Sequence, residues 1–343
     1  MTSGGERETM RLTRDEARGV MLAAQGLLDP PPEAPGLDDV RATIERLGVV
    51  QVDTISVVER SQYLVLWSRL GAYDAGYLDA LVYPQRAIFE YWSHAASIVP
   101  MADYRYYRPD MLRAAELQMW SGDREWVRHN AEALRRTLDT IRERGPMTSS
   151  QFERAPEGQR GQAWDWYGPK ESRRALAVAW MLGDLMIHSR RAGQKVYDLR
   201  ERVLAEAFGG GAPGDDELPT SGEQLRYFTR RTVQALGVVT PTWLLDYFRI
   251  RPYLRPNGNG EDAGKNGKNG NSRSAAQALL EELAREGVVA PVRVEDVREP
   301  AYLAIERLPD LERLRAGEAP ARTTLLSPFD NLIWDRARTR ALF

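Results

Sequence analysis

The spacing in this chain that most suggests chemistry is Gln51-Val52-Asp53. In extended backbone, residues two apart share a face, so the amide and the carboxylate point one way while Val52 anchors the other. Such a pair can handle water. The carboxylate orients or deprotonates it and stabilises a developing positive charge, and the amide holds it without titrating. A plainer reading competes: Asp53 or Thr54 can cap the helix that follows, a common role for these residue types. The residue types alone leave both open.

Composition removes several other chemistries. The 343-residue chain has no cysteine, which excludes disulfides, thiolate zinc sites, iron–sulfur clusters and cysteine nucleophiles. His94, His129 and His188 are the only histidines and lack metal-ligand spacing, so neither a metal nor a cofactor is expected. Met1 to Arg11 lack the apolar segment of a signal peptide, and no long apolar run exists to span a membrane. A cytoplasmic protein is the expectation. Net charge is only −2, but the positive charge is nearly all arginine, with lysines at 170, 195, 265 and 268 alone. Arginine suits bidentate phosphate contacts, although a coding bias yields the same composition.

The elements that must position these residues repeat. Leu47-Gly48-Val49-Val50, Arg144-Gly145-Pro146-Met147 and Leu236-Gly237-Val238-Val239 each follow an amphipathic helix and end it with glycine. After the second phrase come a short helix to Phe152, a helix over 170–182, and strands over 185–188 and 195–199 joined through Arg190 and Arg191. That is the order of a winged helix-turn-helix. The third copy has a helix over 222–236, a Thr240-Pro241 start, a helix over 273–286, and strands over 288–294 and 301–305. The first opens with the capping box Thr13-x-x-Glu16 and closes with strands over 87–92 and 96–99. The expected fold is therefore mainly α with small β-hairpins (α+β). Three tandem winged helix-turn-helix units are assigned to 12–110, 111–205 and 220–310, with a disordered Gly/Asn/Lys-rich insertion over 256–273.

The repeats disagree at one informative place. Thr148 and Thr240 stand three residues after the helix-ending glycine, where the first copy has Gln51 followed by Val52 and Asp53. A helix cap has been exchanged for an amide and a carboxylate. The run from Leu47 to Val58, then Leu66-Trp67-Ser68-Arg69-Leu70-Gly71, resembles the YcaQ/AlkZ family of winged-helix DNA glycosylases. So do the blocks Phe89 to Ser97 and Ser327 to Arg336.

The resemblance implies winged helices around a duplex, followed by a C-terminal β-barrel that 320–343 only begins. It also implies a Gln-x-Asp catalytic motif, matched here by Gln51 and Asp53, as in the YcaQ-type branch. The implied substrate is double-stranded DNA carrying N7-alkylated or crosslinked guanine, acted on by a monomer. Because an amine is needed for strand cleavage through a Schiff base, and Lys170 and Lys195 both fall in the second unit, hydrolysis without strand cleavage is expected. Trp92, Ser93 and His94, at the first wing, are candidates for DNA contact or for hairpin packing. Lys170, Arg173, Arg174, Arg190 and Arg191 are candidate phosphate contacts, with a solvated charged face as the other reading. Trp164, Trp166 and Tyr167 read as core, and Trp334 and Arg336 have no assigned role. The rival from another class is a winged-helix regulator without enzymatic activity, for which Gln51-Val52-Asp53 would have no purpose.

Overall fold

The computed structural model of the chain describes residues 9–53, 55–114, 121–152, 171–250, 254, 265–320 and 322–343. Helices dominate, joined by three small sheets, and no helix among the described residues is long and apolar enough to cross a membrane. The chain divides into two compact units. The first comprises Met1–Tyr73, Ser93–Ser97 and Thr220–Phe343, and the second Asp74–Trp92 and Ile98–Pro219. Residues 12–73 and 93–97 of the first assigned segment thus share a unit with 220–310, whereas 74–92 and 98–110 fall in the second.

In the first unit, local signals set the helix boundaries. Thr13 and Glu16 form the expected capping box at the start of the Arg14–Ala24 helix, and Thr220 with Glu223 repeats it before Ser221–Leu236. Gly48 ends the Leu37–Leu47 helix in the left-handed region, φ 72°. A Cβ there would meet the Arg231 guanidinium at 2.9 Å and the Phe248 ring at 3.0 Å, so both the turn and the packing demand glycine. Thr240 accepts a hydrogen bond from the Trp243 amide, and Pro241 occupies the first turn of the Pro241–Tyr247 helix. The helix expected from Arg273 instead starts at Lys265 and runs to Arg285; residues 256–264 of the expected insertion lie outside the described residues.

The strand Val289–Val294 pairs antiparallel with Ala301–Ala304, which also pairs with Val238–Val239. On the outer edge Met10–Leu12 adds a parallel strand, with Met10 opposite Val292. The sheet order short strand, returning hairpin strand, outgoing hairpin strand occurs three times. It is Val238–Val239, Ala301–Ala304, Val289–Val294 here, Met147–Thr148, Gln194–Leu199, Leu185–Arg191 in the second unit, and Val50–Gln51, Ala96–Pro100, Ile88–Trp92 where the chain passes between units.

The second unit packs Ile141, Leu176, Ala179, Leu185 and Leu199 into a core between two helices and a hairpin. The helix expected over 124–144 is two, Ser121–His129 and Ala131–Arg144, broken at Asn130, whose side-chain amide turns back to donate to the Trp126 carbonyl. The hairpin Leu185–Arg191/Gln194–Leu199 turns through Ala192 and Gly193, both at positive φ. Arg190 and Arg191 therefore sit within a strand and not at a loop tip.

The C-terminal segment corrects an expectation. Among the described residues of 320–343 there is no strand, and no barrel begins. The run Ser327–Trp334 forms turns that bury Asp330 and Asn331 completely, and Asp335 caps a closing Arg336–Leu342 helix. Its polar residues decide its place. Asp330 ion-pairs with Arg69, both buried, and the guanidinium also donates to Gln25 and to the Val65 carbonyl. Ser327 and Ser61 hydroxyls meet at 2.8 Å, and Arg338 donates to the Asn331 carbonyl at 2.6 Å.

Removing one partner from a buried ion pair strands the other charge in low dielectric. Arg69→Met should therefore cost about 3–5 kcal/mol, and Arg69→Met with Asp330→Leu should recover most of it. Urea unfolding checks this; a single variant as stable as the parent would contradict it.

Candidate functional site

Gln51 and Asp53 are held by neighbours remote in sequence. The Tyr247 hydroxyl donates to the Leu47 carbonyl at 3.0 Å, and the Asn331 amide donates to the Val49 carbonyl at 2.7 Å and to the Tyr247 oxygen at 2.8 Å. Val49 and Val50 are buried, so the strand enters the site from a fixed direction. The Val52 amide donates to the Ala96 carbonyl at 2.8 Å, tying the motif to the turn that carries Ser93 and His94.

Asp53 serves its own loop. Its Oδ1 accepts from the Ile55 amide at 2.6 Å, and its own amide reaches the Gln62 side-chain oxygen at 3.4 Å. The next helix, Ser61–Leu70, has Arg60 at its cap position, so Asp53 does not cap it. The capping and functional readings thus divide between two oxygens, with Oδ1 engaged in the turn. Neither Asp53 Oδ2 nor the half-exposed Gln51 side chain has a hydrogen-bond partner among the described residues. Thr54 lies outside the described residues.

Beside this motif, His94 stacks on Trp334 with ring centroids 4.0 Å apart and planes 10° apart, and Trp334 in turn packs on Tyr247. Arg249, at φ 55°, brings Nη2 to 3.2 Å from His94 Nε2, and the Asp246 carbonyl lies 3.3 Å from Nδ1. A neutral ring accepts from the Arg249 guanidinium, whose Nε also lies 3.3 Å from Nδ1. Burial is the main force lowering the His94 pKa, and the Arg249 cation adds to it. Sequence reasoning left Trp334 without a role and passed over Arg249, Gln62 and Asn331. Trp334 at least lay in a recognised block; Arg249 carried no pattern that could have revealed it.

The remaining candidates fall mostly in the second unit. Trp92 is partly exposed at the end of its strand, and Ser93 closes the turn through its amide to the Ala95 carbonyl. Arg173 is exposed near the start of the Glu171–Met181 helix, and Arg174 lies over the Trp126 ring at 5.4 Å. Arg191 is exposed, whereas Arg190 grips the buried Glu90 carboxylate through two hydrogen bonds of 2.7 and 2.8 Å and donates to the Gly193 carbonyl. The Arg190 guanidinium is thus committed within the protein. Lys170, Trp164, Trp166 and Tyr167 lie outside the described residues. The Lys195 ammonium sits 4.1 Å from the centre of the Trp180 ring, and burial lowers its pKa. No cluster of three or more potential metal ligands occurs among the described residues.

The His94 geometry has a pH consequence. Unfolded, the imidazole takes up a proton near its ordinary pKa of about 6.5; folded, it does so only at lower pH. The stabilisation is complete above that ordinary value and is lost as pH falls through the lowered one. His94→Gln should therefore flatten the fall in melting temperature between pH 7 and 5 (roughly the histidine range). His188, also lowered by burial, stays in both proteins and drops out of the comparison. Parallel curves for parent and variant would contradict the assignment.

The family model described as DNA glycosylase AlkZ-like matches residues 44–343, which include Gln51, Asp53, His94 and the Ser327–Arg336 segment. The fold is similar to that of the Streptomyces sahachiroi DNA glycosylase AlkZ. That match has a TM-score of 0.57 and 16% sequence identity, and it covers 94% of this chain and 77% of the other. The chain belongs to the AlkZ-like family of DNA glycosylases.

Proposed function

We propose that this DNA glycosylase hydrolyses the N-glycosidic bond of N7-alkylated guanine in double-stranded DNA, and unhooks interstrand crosslinks built on such guanines, with Gln51 and Asp53 as its catalytic pair. The observation that carries the reading is the split role of Asp53. One carboxylate oxygen fixes the loop, and the other faces no protein partner among the described residues, next to an equally unengaged Gln51 amide.

An N7-alkylated guanine is already cationic, so it leaves without a general acid. Water adds to C1′ of the sugar, the C1′–N9 bond breaks, and its electron pair neutralises the imidazolium ring. The water proton passes to Asp53, whose negative charge also stabilises the sugar cation formed on the way. Gln51 holds the water, and no metal or cofactor enters the step.

The DNA-binding frame in this reading is three winged helices in a monomer. Its support is the sheet order that recurs three times behind the three glycine-ended helices. Trp92, Ser93, His94, Lys170, Arg173, Arg174 and Arg191 are its proposed DNA contacts; Arg190 shapes the second wing through Glu90. Membership of a glycosylase family disfavours the regulator alternative.

Two outcomes test the chemistry. Asp53→Asn keeps an oxygen for the Ile55 amide and removes the charge, so release of N7-methylguanine from a duplex should slow by roughly two orders of magnitude. Near-normal turnover would sink the assignment. Borohydride should trap no covalent adduct with an abasic site, because hydrolysis needs no amine. An adduct would overturn this, and Lys195, with its lowered pKa, would be the first residue to replace.

A further inference from the structure

The Gln51–Asp53 motif leads into a loop that breaks an ordinary rule of surfaces. Ile55, Val57 and Val58 are 63%, 91% and 86% exposed, three large apolar side chains within four residues. Single exposed apolar residues are common; a projecting group of them marks a surface meant to be covered. The loop is also shaped. Asp53 Oδ1 holds the Ile55 amide, a bridge between Ser56 and Arg60 closes its far side, and the Arg60 amide is held by Glu59. Val and Ile are stiff at their first side-chain torsion, so little freedom is lost when they are buried.

We propose that Ile55, Val57 and Val58 form a wedge that enters the base stack of duplex DNA at an N7-alkylguanine without a crosslink and fills the space vacated by the displaced guanine. The inference rests on the glycosylase reading above. Its own ground is continuity: the apolar tip begins two residues after Asp53, and the same carboxylate pins it. At a guanine alkylated without a crosslink, taking the base out of the stack opens C1′ to a side chain, the usual route of enzymes that act on bases. The gap that opens is flat, apolar and bounded by bases, which suits uncharged β-branched side chains, and apolar wedges are a recurrent means of unstacking a step. The Ile55–Val58 tip carries no charge, so it can pass between the phosphates without desolvating an ion. Because Asp53 holds both the tip and the proposed water, insertion of the wedge and placement of the carboxylate at C1′ are one movement.

The experiment uses the full chain carrying Asp53→Asn and a duplex with cleavage-resistant, 2′-fluorinated N7-methylguanosine, flanked by the fluorescent base 2-aminopurine. Binding, followed separately by anisotropy, should raise 2-aminopurine emission as the neighbouring base is unstacked. Adding Val57→Ser and Val58→Ser should reduce that rise roughly tenfold at saturating protein, the scale expected when unstacking is no longer offset. These side chains are exposed, and an unchanged melting temperature shows that the variant folds. An equal rise with and without the two valines overturns the wedge, as does a parent protein that binds yet gives no rise. A change from dimer to monomer in the variant, by sedimentation, also overturns it, assigning the tip to a second copy of the chain. Release of methylguanine by the wild type tests the underlying reading separately, since wild-type release can persist when the wedge fails.

Discussion

The buried ion pair between Arg69 and Asp330 is the constraint from which the site's geometry descends. Two charges without solvent are tolerated only when their remaining hydrogen-bonding positions are filled. Arg69 fills its own with Gln25 and the Val65 carbonyl, and Asp330 accepts from the Leu332 amide. With Asp330 fixed, the adjacent Asn331 reaches the Val49 carbonyl, and through the Tyr247 oxygen it is linked to the Leu47 carbonyl. Those two carbonyls precede Gln51. The C-terminal segment thus sets the direction in which the strand carrying Gln51 leaves its helix.

A division of labour follows from this frame. Arg69, Asp330, Gln25 and Tyr247 are spent on one another and on nearby carbonyls, while the amide and carboxylate at the strand end keep capacity for water. His94 stacks on Trp334 beside the Arg249 guanidinium, and burial and that cation lower its pKa. The exposed apolar loop then has a physical rationale, since the carboxylate that shapes it is the one that would meet the sugar.

Much of this was legible because its signals are local. The capping box at Thr13, the Thr240-Pro241 start and the glycines after each helix depend on neighbours a few residues away, and the structure places them as read. Gln51 and Asp53 stood out because they replace the cap that Thr148 and Thr240 supply. What escaped was long-range. The parallel pairing of Met10–Leu12 with Val292–Val294 joins segments far apart in sequence, and no local pattern encodes it. Arg190 looked like a phosphate ligand because Glu90 is a hundred residues away. The barrel expectation came from the family resemblance; the segment is held instead by Asp330 and Asn331, whose partners Arg69 and Val49 lie far away in sequence.

The most direct test is a crystal structure of the Asp53→Asn chain on a duplex containing the fluorinated N7-methylguanosine. The account predicts the lesion sugar against the Val50–Asp53 strand end, with C1′ within one bridging water of residues 51 and 53. A lesion sugar seated elsewhere, such as beside Lys195 in the second unit, would contradict it.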